Sequence, residues 1–179
     1  FHVTGVQTCA LPIYVRAAFN YVMSGPRLEN RDHRIRPDME GGGLMDVGCY
    51  AVNAARLAFG VEPEEVVAFQ RMSDKFEVDM SFAGVLRFPG GRLAIIDGGF
   101  ESMGSQFYEI AGTSASVRVE KAYLPEPACI PVVQSGTAAA LEGLLRVFPR
   151  CLVLRQPCYT IRPLVLPFIA QPSILPPLA

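Results

Sequence analysis

The sequence predicts an α+β domain: an open, mostly antiparallel β-sheet with one buried helix packed on it. Three observations predict it. The chain is 179 residues long, 50% apolar and 18% charged, which excludes an intrinsically disordered polymer and suffices for one domain with its own core. Several segments alternate apolar and polar residues across short turns marked by glycine and proline, as strands of an antiparallel sheet do. One segment, 43–59, repeats its apolar residues at helical spacing and is apolar on almost every side, so it belongs under cover. One helix layered on a sheet is α+β packing.

Taken in order, Tyr14 to Met23 is rich in aromatic and β-branched residues and reads as a strand. Ser24 to Glu40 is polar, holds the turn signals Gly25-Pro26 and Pro37-Asp38, and reads as a loop dense in arginine. Gly41-Gly42-Gly43 then opens the helix, in which Leu44, Val47, Ala51, Ala54 and Ala58 recur, and Gly60 before Val61-Glu62-Pro63 stops it. Gly48 is interior, where it costs about 1 kcal/mol against alanine. With Ala51, Ala54 and Ala55 it lets another layer come close. Glu65 to Met72 is a second strand. Val78 to Phe88 and Arg92 to Phe100 form a hairpin, with Pro89 and Gly90 suited to the central positions of a type II turn. Phe82, Gly84, Leu86 and Phe88 share one face of its first strand; Ser81, Ala83, Val85 and Arg87 share the other. Phe107 to Ala111 and Ser116 to Glu120 complete a meander through the turn Gly112-Thr113.

Both ends stand apart from this pattern. Residues 1–13 do not join it and read as a leader foreign to the domain, so the domain spans 14–126. Residues 127–179 read as an irregular, proline-rich tail, possible product of a shifted reading frame, with prolines at 157, 163, 167, 172, 176 and 177. The formal net charge of −1 offers nothing to neutralise a phosphate backbone, which argues against nucleic acid as a partner. The five cysteines are odd in number and irregularly spaced, with no CxxC pair, and His2 and His33 lie far from any cysteine cluster. No metal site is expected, and reduced thiols in a cytoplasmic chain are the reading. The uncharged run 163–179 is short and broken by prolines, so no membrane span is expected.

Walker, zincin, serine-hydrolase and G-x-G-x-x-G patterns are absent, and the glycine run 41–43 reads as a flexible helix start rather than a phosphate cradle. Within the helix, Asp46, Tyr50 and Asn53 stand at i, i+4 and i+7 and project from one face. A carboxylate, a phenol and an amide on one face can line a polar pocket or be satisfied locally. Arg34 and Arg36, just before the glycine run, can meet an anion, a neighbouring subunit or solvent.

The segment G-G-G-L-M-D-V-G-C-Y-A-V-N-A-A-R-L-A-F-G resembles the signature of the glucose–fructose oxidoreductase / inositol dehydrogenase (Gfo/Idh/MocA) family. The resemblance extends over residues 14–126 through V-R-A-A-F, the arginine-rich loop, E-P-E-E-V-V-A, L-R-F-P-G-G-R-L-A, Y-E-I-A-G-T and Y-L-P-E. It implies the C-terminal substrate and oligomerisation domain of a two-domain dehydrogenase, without the Rossmann domain and lysine segment that precede it in the family. Tyr50 stands where many members carry a histidine and is similar to the branch with a catalytic tyrosine, which includes glucose–fructose oxidoreductase and dihydrodiol dehydrogenase. Asp46 matches the family aspartate; Asn53 stands where the histidine branch has aspartate.

The implied function is hydride transfer between NADP or NAD, bound mainly by the Rossmann domain, and a sugar, aldose or dihydrodiol. Tyr50 would be the general acid/base, Asp46 and Asn53 substrate-binding or orienting groups, and Arg34 and Arg36 cofactor or interface contacts. The isolated chain is then expected to be inactive, with a homo-oligomer forming through the sheet. A non-catalytic ligand-binding or assembly domain of the same fold, and a broken gene fragment without independent function, are the competing expectations.

Overall fold

The computed structural model describes residues 12–29, 32–113, 115–124 and 132–136. Its strands are β1 (Pro12–Asn20), β2 (Glu65–Met72), β3 (Asp79–Phe88), β4 (Arg92–Gly99), β5 (Gln106–Gly112), β6 (Ala115–Glu120) and β7 (Val132–Gly136). They form one sheet in the order β2-β3-β4-β1-β5-β6-β7. Only β1 and β4 run parallel; the other neighbours are antiparallel. The expected open, mostly antiparallel sheet with one packed helix is what forms.

Several details differ from the sequence reading. β4 and β5 do not continue a meander, because β1 lies between them, pairing Ala17 with Ile96 on one side and with Tyr108 on the other. A parallel neighbour requires a long crossover, and everything from Tyr21 to Gly91 serves as that connection. The loop after β1 contains a short helix α1 (Gly25–Glu29) and two 3-10 turns, His33–Ile35 and Pro37–Met39. Asp32 caps the first turn by accepting the Arg34 N–H at 3.1 Å, and Ile35 is fully buried there. β1 starts at Pro12, two residues before Tyr14, and β7 falls within the segment expected to be an irregular tail. The rest of residues 1–13 and most of 127–179, with Cys9, Cys129, Cys151 and Cys158, lie outside the described residues.

The helical segment is not uniform. Leu44–Gly48 is a π turn, in which the Cys49 N–H reaches back to the Leu44 carbonyl, and α2 (Cys49–Phe59) follows. Gly48 has its reason here: a Cβ on it would lie 2.6 Å from Phe82 Cζ. A Cβ on Gly98 would come within 2.7 Å of the same ring, so Phe82 fills a notch between helix and sheet. Alternation along β3 follows the expected faces. Phe82, Leu86 and Phe88 are buried beneath the helix with Ala94 and Ile96 of β4 and Val15, Ala17 and Phe19 of β1. At the hairpin turn Gly90 sits at φ 78°, ψ 17°, the left-handed geometry a type II turn demands of its third residue.

Both helix ends are anchored to the β3–β4 hairpin. At the start, the buried Asp79 carboxylate accepts the Leu44 N–H at 2.7 Å. The chain passes so close above it that a Cβ on Gly42, at φ 125°, would lie 2.1 Å from Asp79 Oδ1. The glycine run is therefore clearance for a tight crossing, not a flexible start. At the far end, Gly60 closes α2 in the left-handed region. Arg92 donates to the Phe59 carbonyl at 3.4 Å and to Pro89 O at 2.8 Å, with its guanidinium 4.9 Å from the Phe59 ring centroid.

Burial holds the Asp79 carboxyl above its ordinary value of 3.8, against the pull of the backbone N–H donors. Its contribution to stability is therefore complete below the unfolded value and declines as pH rises through the folded one. Asp79→Ala leaves the Leu44 N–H without this acceptor and is expected to lower unfolding free energy by about 1–3 kcal/mol. In urea titrations the deficit should be larger at pH 4 than at pH 7; a deficit that grows with pH contradicts this account.

Candidate functional site

Burial along the helix is one-sided. Val47, Ala51, Val52, Ala54 and Ala55 face the sheet, while Asp46, Tyr50 and Asn53 are partly exposed and Leu57 is exposed. The face expected from the i, i+4, i+7 spacing is thus the open stripe of the helix. Its first turn lies at the C-terminal end of β1, where Tyr21 reaches Asp46 and Phe19 packs against Tyr50.

Tyr50 stands at the centre of this stripe. Its ring packs edge-on against Phe19, centroids 5.5 Å apart, and tilted against Tyr123 at 5.6 Å. Phe19 and Tyr123 themselves stack at 5.1 Å and are both buried. The ring is therefore backed by an aromatic wall that fixes its depth, while part of the residue stays accessible. Burial also pushes the Tyr123 phenol far up, so it stays protonated and donates to the Phe107 carbonyl at 3.4 Å.

Asp46, one turn earlier, is engaged by protein groups. Its Oδ1 accepts Arg34 Nε at 3.1 Å, and its Oδ2 accepts Arg34 Nε at 3.2 Å and the Tyr21 hydroxyl at 3.1 Å. Arg34 also donates through Nη1 to Asp32 at 3.0 Å. Burial opposes the Arg34 charge, but Asp46 and Asp32 outweigh it and raise its pKa above the ordinary value. Asp32 is lowered, first by the Arg34 backbone N–H it accepts. Arg36 is placed elsewhere: it is half-buried and paired with Asp38 at 3.1 Å through Nε. Asn53, half-buried, follows Tyr50 along the stripe. Asp97 accepts the Asn20 amide at 2.7 Å and so braces the parallel β1–β4 pair.

The sequence reading brought together Asp46, Tyr50 and Asn53, and the structure keeps them on one stripe. It adds three residues the reading did not single out as site groups: Tyr21, Tyr123 and Asp79. Tyr21 lay 25 positions from Asp46 with no spacing rule to join them. Tyr123 was visible only as part of Y-L-P-E. Asp79 was visible only as an acid at the start of an apolar run. Among the described residues no three or more metal-ligating side chains gather, and no helix is long and apolar enough to cross a membrane.

Residues 12–118 match the family model described as the GFO/IDH/MocA C-terminal domain. Over 96 residues the chain is 38% identical to D-xylose 1-dehydrogenase (NADP(+)) 2 of Haloferax volcanii, covering 54% of this chain and 29% of that protein. Over 108 residues it is 32% identical to dTDP-3,4-didehydro-2,6-dideoxy-alpha-D-glucose 3-reductase of Saccharopolyspora spinosa, covering 60% of this chain and 32% of that protein. The chain thus spans about a third of the length of these curated relatives. In fold it is similar to KijD10, a 3-ketoreductase from Actinomadura kijaniata crystallised with NADP and TDP-benzene. The TM-score is 0.59 at 20% identity, covering 87% of this chain and 50% of that one.

Tyr21 offers a direct check on the geometry. Burial, then the charge and hydrogen bond of Asp46, push its phenol from 10.0 up to about 12. Ultraviolet titration should show one tyrosine ionising near pH 12 that Tyr21→Phe removes and Asp46→Asn moves down toward 10. Because the folded value is raised, this group stabilises the fold fully below pH 10, and the contribution fades as pH rises through 12.

Proposed function

This chain belongs to the GFO/IDH/MocA family, and from that membership we propose that it is the substrate domain of an NAD(P)-dependent oxidoreductase acting on a sugar, an aldose or a dihydrodiol. The observation that carries the proposal is Tyr50, a half-buried phenol on the open helix stripe, braced by Phe19 and Tyr123 and followed by the Asn53 amide. Similarity to a D-xylose dehydrogenase and a dTDP-sugar 3-reductase supports a carbohydrate substrate.

A bound nicotinamide dinucleotide supplies hydride exchange at its ring. The residues of this chain suit the proton half of that chemistry. When a carbinol is oxidised, its hydroxyl proton passes to the Tyr50 oxygen; in the reverse direction Tyr50 returns that proton to the carbonyl oxygen. A free phenol ionises near pH 10, so its use as a base at neutral pH calls for a nearby cation, which in this reading comes from a preceding nucleotide-binding domain. Asn53, both donor and acceptor, can orient a substrate hydroxyl on the same stripe. Dinucleotide phosphates do not suit the glycine run 41–43, because the Asp79 carboxylate lies against Gly42, where an anion would be repelled. Their binding therefore belongs to that same domain, as does the choice between NAD and NADP.

The sheet face opposite the helix supplies a further part of the reading. Its register sets Val67 beside Val85 and Val85 beside Ile95, with Phe69 exposed at 66% next to Ala83. A contiguous apolar face of this kind marks an interaction surface, and we assign it to a second copy of the chain. Phe69→Asp is expected to shift the sedimenting species to lower mass while the fold, read by circular dichroism, is kept; an unchanged mass contradicts the assignment.

The catalytic reading is tested in the full-length protein with D-xylose and other aldoses. Tyr50→Phe keeps the ring packing and removes the hydroxyl, and kcat should fall by about 10²–10⁴-fold. Activity kept within about threefold would favour the alternative, a non-catalytic ligand-binding or assembly domain of the same fold.

A further inference from the structure

The network on Asp46 leaves a question that the acid/base reading does not answer. The side chain stands one turn before Tyr50 on the same stripe, yet both its oxygens are held by protein donors. Those donors come from two separate elements. Tyr21 follows the end of β1, and Arg34 lies in the 3-10 turn His33–Ile35, itself capped by Asp32. Arg34 donates through Nε to Asp46 and through Nη1 to Asp32, which ties its guanidinium to two carboxylates of the fold. Tyr21 is in turn wedged among aromatic rings, with Phe100 at 5.4 Å and Phe19 at 6.3 Å.

What these bonds act on is the π turn Leu44–Gly48, in which Asp46 is the middle residue. A π turn is a rare geometry that an ordinary helix relaxes out of unless something holds it, and it recurs at functional sites. Relaxation to regular α geometry rotates the residues before Cys49 relative to those after it, and so changes how Asp46 and Tyr50 are disposed on the stripe. The aromatic contacts of Tyr50 set the depth of its ring, and the turn before it sets the direction from which the ring is carried. The directional, charge-assisted bonds on Asp46 act on that turn.

We propose that Arg34 is a positioning residue: by gripping Asp46 together with Tyr21 it holds the π turn and thereby fixes where the Tyr50 hydroxyl is presented. The inference rests on the reading of Tyr50 as the acid/base group. It assigns Asp46 to the fold of the site rather than to a substrate hydroxyl, and Arg34 to Asp46 rather than to a cofactor phosphate.

Two measurements test it. The first is amide hydrogen exchange on this chain and needs no substrate. Arg34→Gln should speed exchange at residues 44–50 by at least tenfold relative to 54–59, Tyr21→Phe by less, and Arg34→Lys, which keeps the charge but loses the fork, should lie between. Exchange that stays within twofold at 44–50, or rises equally along 44–59, overturns the proposal. The second is kinetic, in the full-length protein with D-xylose and NADP+. Arg34→Gln should lower kcat at least tenfold with KM within about twofold, and Tyr21→Phe should follow in the same direction. A raised KM with kcat unchanged makes Arg34 a binding group and overturns the proposal. Should Arg34→Gln fail to fold, Arg34→Lys and Tyr21→Phe carry both tests, since each keeps the charge or the ring in place. Tyr50→Phe separates the two readings. If it abolishes turnover while the Arg34 and Tyr21 variants leave kcat and exchange unchanged, the positioning role alone falls. If it leaves turnover intact, the acid/base reading falls, and the exchange result still judges the hold on the turn.

Discussion

One hairpin holds both ends of the helix, and the rest of the site depends on that grip. Asp79 at the start of β3 accepts a backbone N–H at the positive end of the helix; Arg92 at the start of β4 donates to a carbonyl at the negative end. Each charge has the sign that the helix dipole favours at that end. Between them Phe82 keys into the notch left by Gly48 and Gly98. End restraint and mid-helix keying together limit sliding along the axis and rotation about it. The open stripe therefore faces one way, as the proton exchange proposed for Tyr50 requires.

Much of this was legible in the residues. Alternation from Val78 to Phe88 gave the buried and open faces of β3 residue by residue, because a two-residue period is fixed by backbone geometry alone. The stripe of Asp46, Tyr50 and Asn53 was legible for the same kind of reason. What escaped depends on contacts between distant segments. No local pattern tells that β1 pairs with β4 and β5, nor that Tyr21 and Arg34 converge on Asp46. The glycine run was ambiguous because its cause, Asp79, lies more than thirty residues away. The π turn was hidden because Leu44, Val47 and Ala51 satisfy an α-helical period equally well. Val132–Gly136 escaped because its neighbours are proline-rich and a five-residue edge strand leaves little pattern to read.

The site divides its polar groups by task. Charged bonds gather at the helix start, where Arg34 joins Asp32 to Asp46. The Tyr50 side chain rests on the rings of Phe19 and Tyr123 one turn later. The carboxylate is thus held by Arg34 and Tyr21, while the partly exposed Tyr50 and Asn53 follow it along the stripe. An aromatic backing suits the acid/base role proposed for Tyr50, since packing against rings restrains the side chain at a set depth.

The place of β1 in the sheet has a consequence for how the chain acquires its shape. Tyr14 pairs with Leu93 on one side and Ala111 on the other, so the first strand waits for both partners to be made. At about 5–20 residues per second, translation leaves it unpaired for roughly 4–20 s after it is synthesised. During that interval its apolar residues, Val15 and Phe19 among them, have no sheet to join. A ribosome-bound nascent chain stopped before β4 would expose a ready-made adhesive strand, and co-translational protection of this segment is a demand that the topology itself imposes.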